Sequence, residues 1–287
     1  MLQRIMTVLI GVPIVVFCTY SGGLWFFLMV TSLAVISLNE FFNLMKSKGL
    51  SPYYTLGNFF TLLFIVFIQM KSFLYLNNLF PWLSTILKDP SWESAFSGIL
   101  TAAIISIFCA AIFIRRTAMA TVNIAITVLG TLYVGWLFSY LVLLRDLTPH
   151  GACLFFLMIT IWANDTAAYL IGGKFGKKQL SPYISPKKTV VGAVAGFVFA
   201  LAVAFIFGML WEKTYLPANW IQYLVLGALI GVFSQLSDLS ESLIKRDAGA
   251  KDSSRLVPGH GGVLDRMDSF IFAAPVAYYF LVWFIIK

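Results

Sequence analysis

Apolar runs recur along almost the whole chain, and this constrains the fold more than any other feature. Nine can be read: Ile5–Tyr20, Leu24–Leu38, Tyr54–Leu74, Ser97–Ile114, Ala118–Leu144, Cys153–Ile171, Val190–Leu210, Ile221–Leu239 and Ser269–Ile286. A bilayer-spanning helix needs roughly 20 predominantly apolar residues. Of the 287 residues, 60% are hydrophobic and only 11% are charged. Soluble domains carry roughly 25% charged residues. The mean hydropathy is +0.89. A water-soluble globule of this size could not hide so much apolar surface, and a disordered chain would not contain it. The expected fold is therefore an all-α integral membrane protein of about nine transmembrane helices, with little left for a soluble domain.

The charges give the expected orientation. With nine spans and a cytoplasmic N-terminus, the inner segments carry 15 of the 20 Lys and Arg residues. The outer segments carry Lys71, Lys88, Arg145, Lys213 and Lys287. Such a bias follows the positive-inside rule and puts the C-terminus outside. Arg4 followed by a short apolar run imitates a signal peptide, but the immediate second run favours a retained first span. Ser21-Gly22-Gly23 divides those two runs into a helical hairpin. The segment Leu74–Phe96, with Pro81, Trp82, Pro90 and Trp92, reads as an outer loop at headgroup level. No internal repeat is visible, so a single polytopic domain over residues 1–287 is expected. Residues 1–150 would serve structure and dimerisation, and residues 151–287 the chemistry. Cys18, Cys109 and Cys153 lie in apolar runs and read as small hydrophobes.

Polar residues concentrate in two inner stretches. The first holds Asn164-Asp165, Tyr169, Lys174-Phe175-Gly176-Lys177-Lys178 and Ser185-Pro186-Lys187-Lys188-Thr189. The second runs from Ser237-Asp238 through Lys245-Arg246 and Lys251-Asp252 to Pro258-Gly259-His260-Gly261-Gly262-Val263-Leu264-Asp265-Arg266-Met267-Asp268. Seven of the 12 acidic residues lie in these two stretches. Ser234, Asp238, Glu241, Ser242 and Lys245 share one face of a helix. An ionised group inside a bilayer costs on the order of 3 kcal/mol, so such a stripe calls for a partner, a metal or a wet cavity. A helix end reaching the interface would also explain Glu241 and Lys245. A structural hydrogen bond between helices would explain Asp165, and the helix dipole would favour Asp265 and Asp268 at a helix start.

Carboxylates without neighbouring His or Cys pairs suit a hard cation such as Mg²⁺, which keeps waters and bridges to phosphates. Lys and Arg around them suit a polyphosphate. Together they describe phosphoryl or nucleotidyl transfer, where catalysis is mainly positioning and charge neutralisation. The glycines around His260 let backbone amides approach an anion, although a turn would use them too. No Walker A motif is present.

The segment Ser242–Arg246, then Lys251-Asp252 and Pro258–Asp268, resembles the C-terminal signature of the phosphatidate cytidylyltransferase (CDP-diacylglycerol synthase) family. Asp165–Tyr169, Phe175–Lys177 and Ser185–Thr189 are similar to an earlier motif of that family. The matching blocks cover about the last 125 residues. The resemblance implies the reaction CTP + phosphatidate → CDP-diacylglycerol + diphosphate, with Mg²⁺, in a polytopic and dimeric protein of the cytoplasmic membrane. It implies metal binding by Asp238 and Asp265, with Asp165 and Ser242 completing or supporting the site. A second cation of unassigned identity is compatible with it. Catalytic roles then fall to Asp238, Asp265, Lys245 and Arg266. Lys187, Lys188, Arg246, Lys251, His260 and Ser242 would bind CTP and the lipid phosphate. No nucleic-acid partner is expected. Three positions depart from the family pattern: Ser237 and Arg255 stand where glycine is usual, and Val191 where an acidic residue is usual. Two other readings of the polar residues stay open, a CTP-dependent kinase of a lipid alcohol and a cation transporter using Asp165, Asp238 and Glu241.

Overall fold

The structure is a computed structural model that describes residues 2–72, 92–114, 118–211, 216–257, 259 and 261–286. The helices among them are α1 (Leu2–Ser21), α2 (Gly23–Ser47), α3 (Tyr54–Ser72), α4 (Trp92–Ile114), α5 (Ala120–Asp146), α6 (Ala152–Phe175), α7 (Val190–Leu210), α8 (Trp220–Asp247) and α9 (Leu264–Phe284). Seven of the described helices are long and apolar enough to cross a membrane. The apolar parts of the other two, Leu9–Ser21 and Tyr54–Gln69, are shorter.

Helices extend past several of the apolar runs. α2 continues from Leu38 to Ser47, because Phe41, Phe42, Leu44 and Met45 keep one face buried while the sequence turns polar. α4 starts at Trp92, inside the segment expected to be a loop. Pro81, Trp82 and Pro90 lie outside the described residues. An antiparallel hairpin also departs from the all-helical expectation: β1 (Gln179–Ser181) pairs with β2 (Ser185–Thr189), with Gln179 opposite Thr189 and Ser181 opposite Ser185. Its strands are short and built from Ser, Pro and Lys, which carry almost no strand signal.

The chain divides into two compact units, Met1–Leu143 with Ser253–Leu264, and Leu144–Asp252 with Asp265–Lys287. In the first, α2, α3 and α5 pack around Leu38, Phe41, Phe42, Phe64 and Ile65. The connection between α2 and α3 is tied down by two side chains of α5. Asn123 Oδ1 accepts from Ser51 N at 2.8 Å, and Thr127 Oγ1 accepts from Tyr53 N at 2.9 Å. α5 contains one π-helical stretch, Thr131–Trp136.

In the second unit, α7 packs against α6 and α8. Its buried residues are Gly192, Gly196, Ala200, Ala204 and Gly208, one every fourth position. Small residues at that spacing let backbones approach closely, the usual solution where lipid leaves no hydrophobic drive between helices. A Cβ on Gly172 of α6 would lie 2.8 Å from the Gly192 Cα. The opposite side of α7 exposes Val194, Val198, Phe205 and Ile206, a face suited to hydrocarbon rather than water. Phe156 and Tyr223 meet edge to face at 5.8 Å in this unit's core.

Candidate active site

The second unit encloses a cavity of about 810 Å³. Asp165 and Tyr169 of α6, Lys187 and Lys188 of the hairpin, Asp238 and Lys245 of α8, Asp252, and Asp265, Arg266 and Asp268 of α9 all line it. Both polar stretches of the sequence therefore converge on one space.

The hairpin delivers its lysines because Thr189 fixes the junction with α7. Thr189 Oγ1 accepts from Gly192 N at 3.1 Å and donates to Gly172 O at 3.3 Å, capping α7 and tying it to α6. Lys188, one residue earlier, places Nζ 2.5 Å from Asp238 Oδ2. Lys187 is exposed and lines the cavity. Arg246 is engaged differently: its guanidinium donates to the carbonyls of Ile184 (3.1 Å) and Ala250 (2.9 Å), tying the hairpin tip to the end of α8.

The polar face of α8 is used along its length. Ser242 Oγ reaches Asp238 Oδ1 at 3.4 Å, a long bond that orients the carboxylate. Lys245 Nζ donates to Asp265 Oδ1 at 2.6 Å and pairs with Glu241 Oε2. Glu241 is wholly buried, and apart from that ion pair neither of its oxygens has a hydrogen-bond partner among the described residues. Ser237, at the position where glycine is usual in the family, has a defined job. Its Oγ accepts from Phe272 N at 3.1 Å and donates to the Asp268 carbonyl, inserting between two groups one helical turn apart on α9.

Asp165 accepts from Asn164 Nδ2 at 3.1 Å and from Ser269 Oγ at 3.3 Å. Asn164 is itself held by Ser234 and Gln235, and Gln235 Nε2 also donates to Ala193 O at 3.0 Å. Asp268 accepts from Ser269 N at 2.7 Å and lies within electrostatic reach of Asp165, Asp238 and Glu241. Reading the sequence placed Asn164 in a polar stretch without giving it a role, and missed Gln235, Ser269 and the closeness of Asp268 to Asp238. The signal for Gln235 was present, since it precedes Asp238 by three residues on the same helix.

Among the residues proposed from sequence, Asp165, Asp238, Asp265, Lys187, Lys188, Lys245 and Arg266 line the cavity, and Ser242 sits behind Asp238. Lys251 is exposed and is not part of the wall. His260 lies outside the described residues. Among the described residues, no three His, Cys, Asp or Glu side chains are close enough together to form a protein-only metal cage. The cavity offers carboxylate oxygens and no described His or Cys. This donor set fits a hard divalent ion that takes one or two carboxylates and completes its shell with water and substrate oxygens.

Comparison with known proteins agrees with this arrangement. A family model described as the cytidylyltransferase family matches residues 2–284. A phosphatidate cytidylyltransferase of Bacillus subtilis is 31% identical over 285 residues, covering 99% of this chain and 98% of the relative. One from Synechocystis is 34% identical over 309 residues, covering 98% and 96%. One from Staphylococcus saprophyticus is 31% identical over 273 residues, covering 95% and 96%. With carboxylates and cations facing each other across a single cavity, and similarity running nearly end to end, the chain belongs to the cytidylyltransferase family, whose members are nucleotidyltransferases.

Proposed function

We propose that this chain is a phosphatidate cytidylyltransferase, converting CTP and phosphatidate to CDP-diacylglycerol and diphosphate in phospholipid synthesis. The observation that carries the proposal is the convergence of Asp165, Asp238, Asp265 and Asp268 with Lys187, Lys188, Lys245 and Arg266 on one cavity. The relatives' names support the choice of lipid substrate.

Magnesium is the proposed ion, held by one or two carboxylates drawn from Asp238, Asp265 and Asp165, with substrate oxygens and water completing its shell. When bound, it would neutralise CTP phosphate charge and polarise the reacting phosphorus. Lys188 and Lys245, paired here with Asp238 and Asp265, would neutralise substrate phosphate at the same wall. Lys187 and Arg266 add positive charge at the same wall. A phosphate oxygen of phosphatidate attacks the α-phosphorus of CTP. The bond from that phosphorus to the bridging oxygen of the β-phosphate breaks, and diphosphate leaves. The nucleophile is already an anion at neutral pH, so no strong general base is required. Positioning and charge neutralisation do the work.

The proposed setting is the cytoplasmic membrane, with nine spans, an inward N-terminus, an outward C-terminus, a cytoplasm-facing site and a homodimeric assembly. The bias of Lys and Arg toward the inner segments supports that orientation. Purified protein given labelled CTP, phosphatidic acid and Mg²⁺ should yield a labelled CDP-lipid and diphosphate on thin-layer analysis. Release of CDP with a phosphorylated lipid alcohol would overturn the reading in favour of a kinase. Ion flux in liposomes without CTP turnover would overturn it in favour of a transporter.

A further inference from the structure

Glu40 stands in α2, next to the buried Phe41 and Phe42, and is only 4% exposed. Burying a carboxylate there is costly unless its lone pairs are filled. Four hydrogen bonds that it accepts come from one segment, 213 to 224 residues away in sequence. Oε2 accepts from Ser253 Oγ at 2.9 Å and from Leu264 N at 2.8 Å. Oε1 accepts from Ser254 Oγ at 2.6 Å and from Val263 N at 3.0 Å. Among the described residues, no lysine or arginine is paired with it. An acceptor-only group thus faces four donors, two at each end of the segment Ser253–Leu264.

The glycines of that segment fit the same design. Gly259 and Gly261 have φ of 74° and 82°, in the left-handed region that side chains avoid. Gly262 is required for a different reason: a Cβ there would lie 2.5 Å from Glu40 Oε2 and would collide with Ser253 Oγ. Val257 N donates to Gly261 O at 2.8 Å, closing the middle of the segment. The ends are gathered by Glu40 and the middle by its own backbone.

We infer that Glu40 is a positioning residue for CTP binding, whose carboxylate fixes the segment Ser253–Leu264, the stretch of chain that joins the cavity-lining Asp252 and Asp265. The inference rests on the cytidylyltransferase reading, since this segment carries most of the glycine-rich part of the signature and ends one residue before Asp265. A carboxylate does here what no apolar side chain could. It holds two hydroxyls and two amides at once.

The test uses the full-length protein in detergent micelles, with Glu40→Gln and the milder Ser254→Ala. Trypsin reports on the segment directly, because Arg255 is exposed within it. Glu40→Gln should speed cleavage after Arg255 about tenfold and raise the KM for CTP about tenfold, with the KM for phosphatidate changed less than about twofold. Ser254→Ala removes one of the four bonds and should shift both readouts about threefold in the same directions, with thermal midpoint near that of the parent. Cleavage at the parent rate in both variants would overturn the inference, as would an equal rise in both KM values. Where Glu40→Gln does not fold, Ser254→Ala decides alone. A parent protein that makes no CDP-lipid would defeat the cytidylyltransferase reading, while the trypsin comparison would still judge the clamp.

Discussion

Lys188, on the hairpin that precedes α7, closes on Asp238 of α8 with Nζ 2.5 Å from Oδ2. Their side chains are 29% and 27% exposed, so the pair is reachable from the cavity and only partly dry. A pair in that setting adds little to stability, about 0 to 1 kcal/mol. Replacing Lys188 should therefore separate binding from folding. Lys188→Gln is expected to raise the KM for CTP by about tenfold to a hundredfold while the thermal midpoint moves by only a few degrees, measured by steady-state kinetics and differential scanning fluorimetry.

Asp238 is the carboxylate that the hairpin lysine and Ser242 both address. Asp238→Asn keeps the shape and removes the charge. CDP-lipid formation should fall by about a hundredfold or more, the scale expected when charge stabilisation of phosphoryl transfer is lost. Full activity in a folded Asp238→Asn protein would exclude the residue from the reaction.

Lys245 holds two acidic side chains, Glu241 and Asp265, in a buried cluster. Lys245→Met would leave both without their cation and should cost about 3 to 5 kcal/mol in stability, read from denaturant or thermal unfolding. Adding Glu241→Gln to Lys245→Met should recover part of that loss, because one of the stranded charges is removed. Activity should not return with it, since Lys245 lines the cavity and its ammonium is proposed to meet substrate phosphate.

Ser237→Gly restores the residue usual in the family and deletes the hydroxyl that bridges Asp268 O and Phe272 N. Loss of the bridge and glycine's poor helix propensity together predict destabilisation of about 1 to 2 kcal/mol. CTP turnover should stay within about threefold of the parent, since the hydroxyl is spent on α9 backbone rather than on the cavity.

Chelation tests the ion. Excess EDTA should abolish CDP-lipid formation, and added Mg²⁺ should restore it, with thin-layer analysis as the readout. Unchanged activity in EDTA would exclude the proposed metal role of Asp238, Asp265 and Asp165.

Much of this was legible before any coordinates. Apolar runs much longer than a strand favour helices, so the helical class and the order of the described helices follow from local composition. The stripe from Ser234 to Lys245 was visible because helical periodicity puts its members on one face whatever they meet. Helix ends were less legible. α2 outruns its apolar stretch because one buried face is enough to carry it to Ser47.

Partner choice could not be read. Nothing local says that Lys188 meets Asp238, that Arg246 spends its guanidinium on Ile184 and Ala250, or that Lys251 stays out of the cavity wall. Glu40 is the sharpest case: a lone acid in an apolar helix looks like a blemish until four donors from residues 253–264 are seen to fill its lone pairs. The amino-acid sequence alone determined that the chain is a helical membrane protein with most of its carboxylates and many of its cations gathered in its C-terminal half, because hydropathy and helical phase are local properties. Only the tertiary structure decided which charges neutralise one another and which are left to line the cavity, because Coulomb and hydrogen-bond energies depend on distances between residues far apart in the chain.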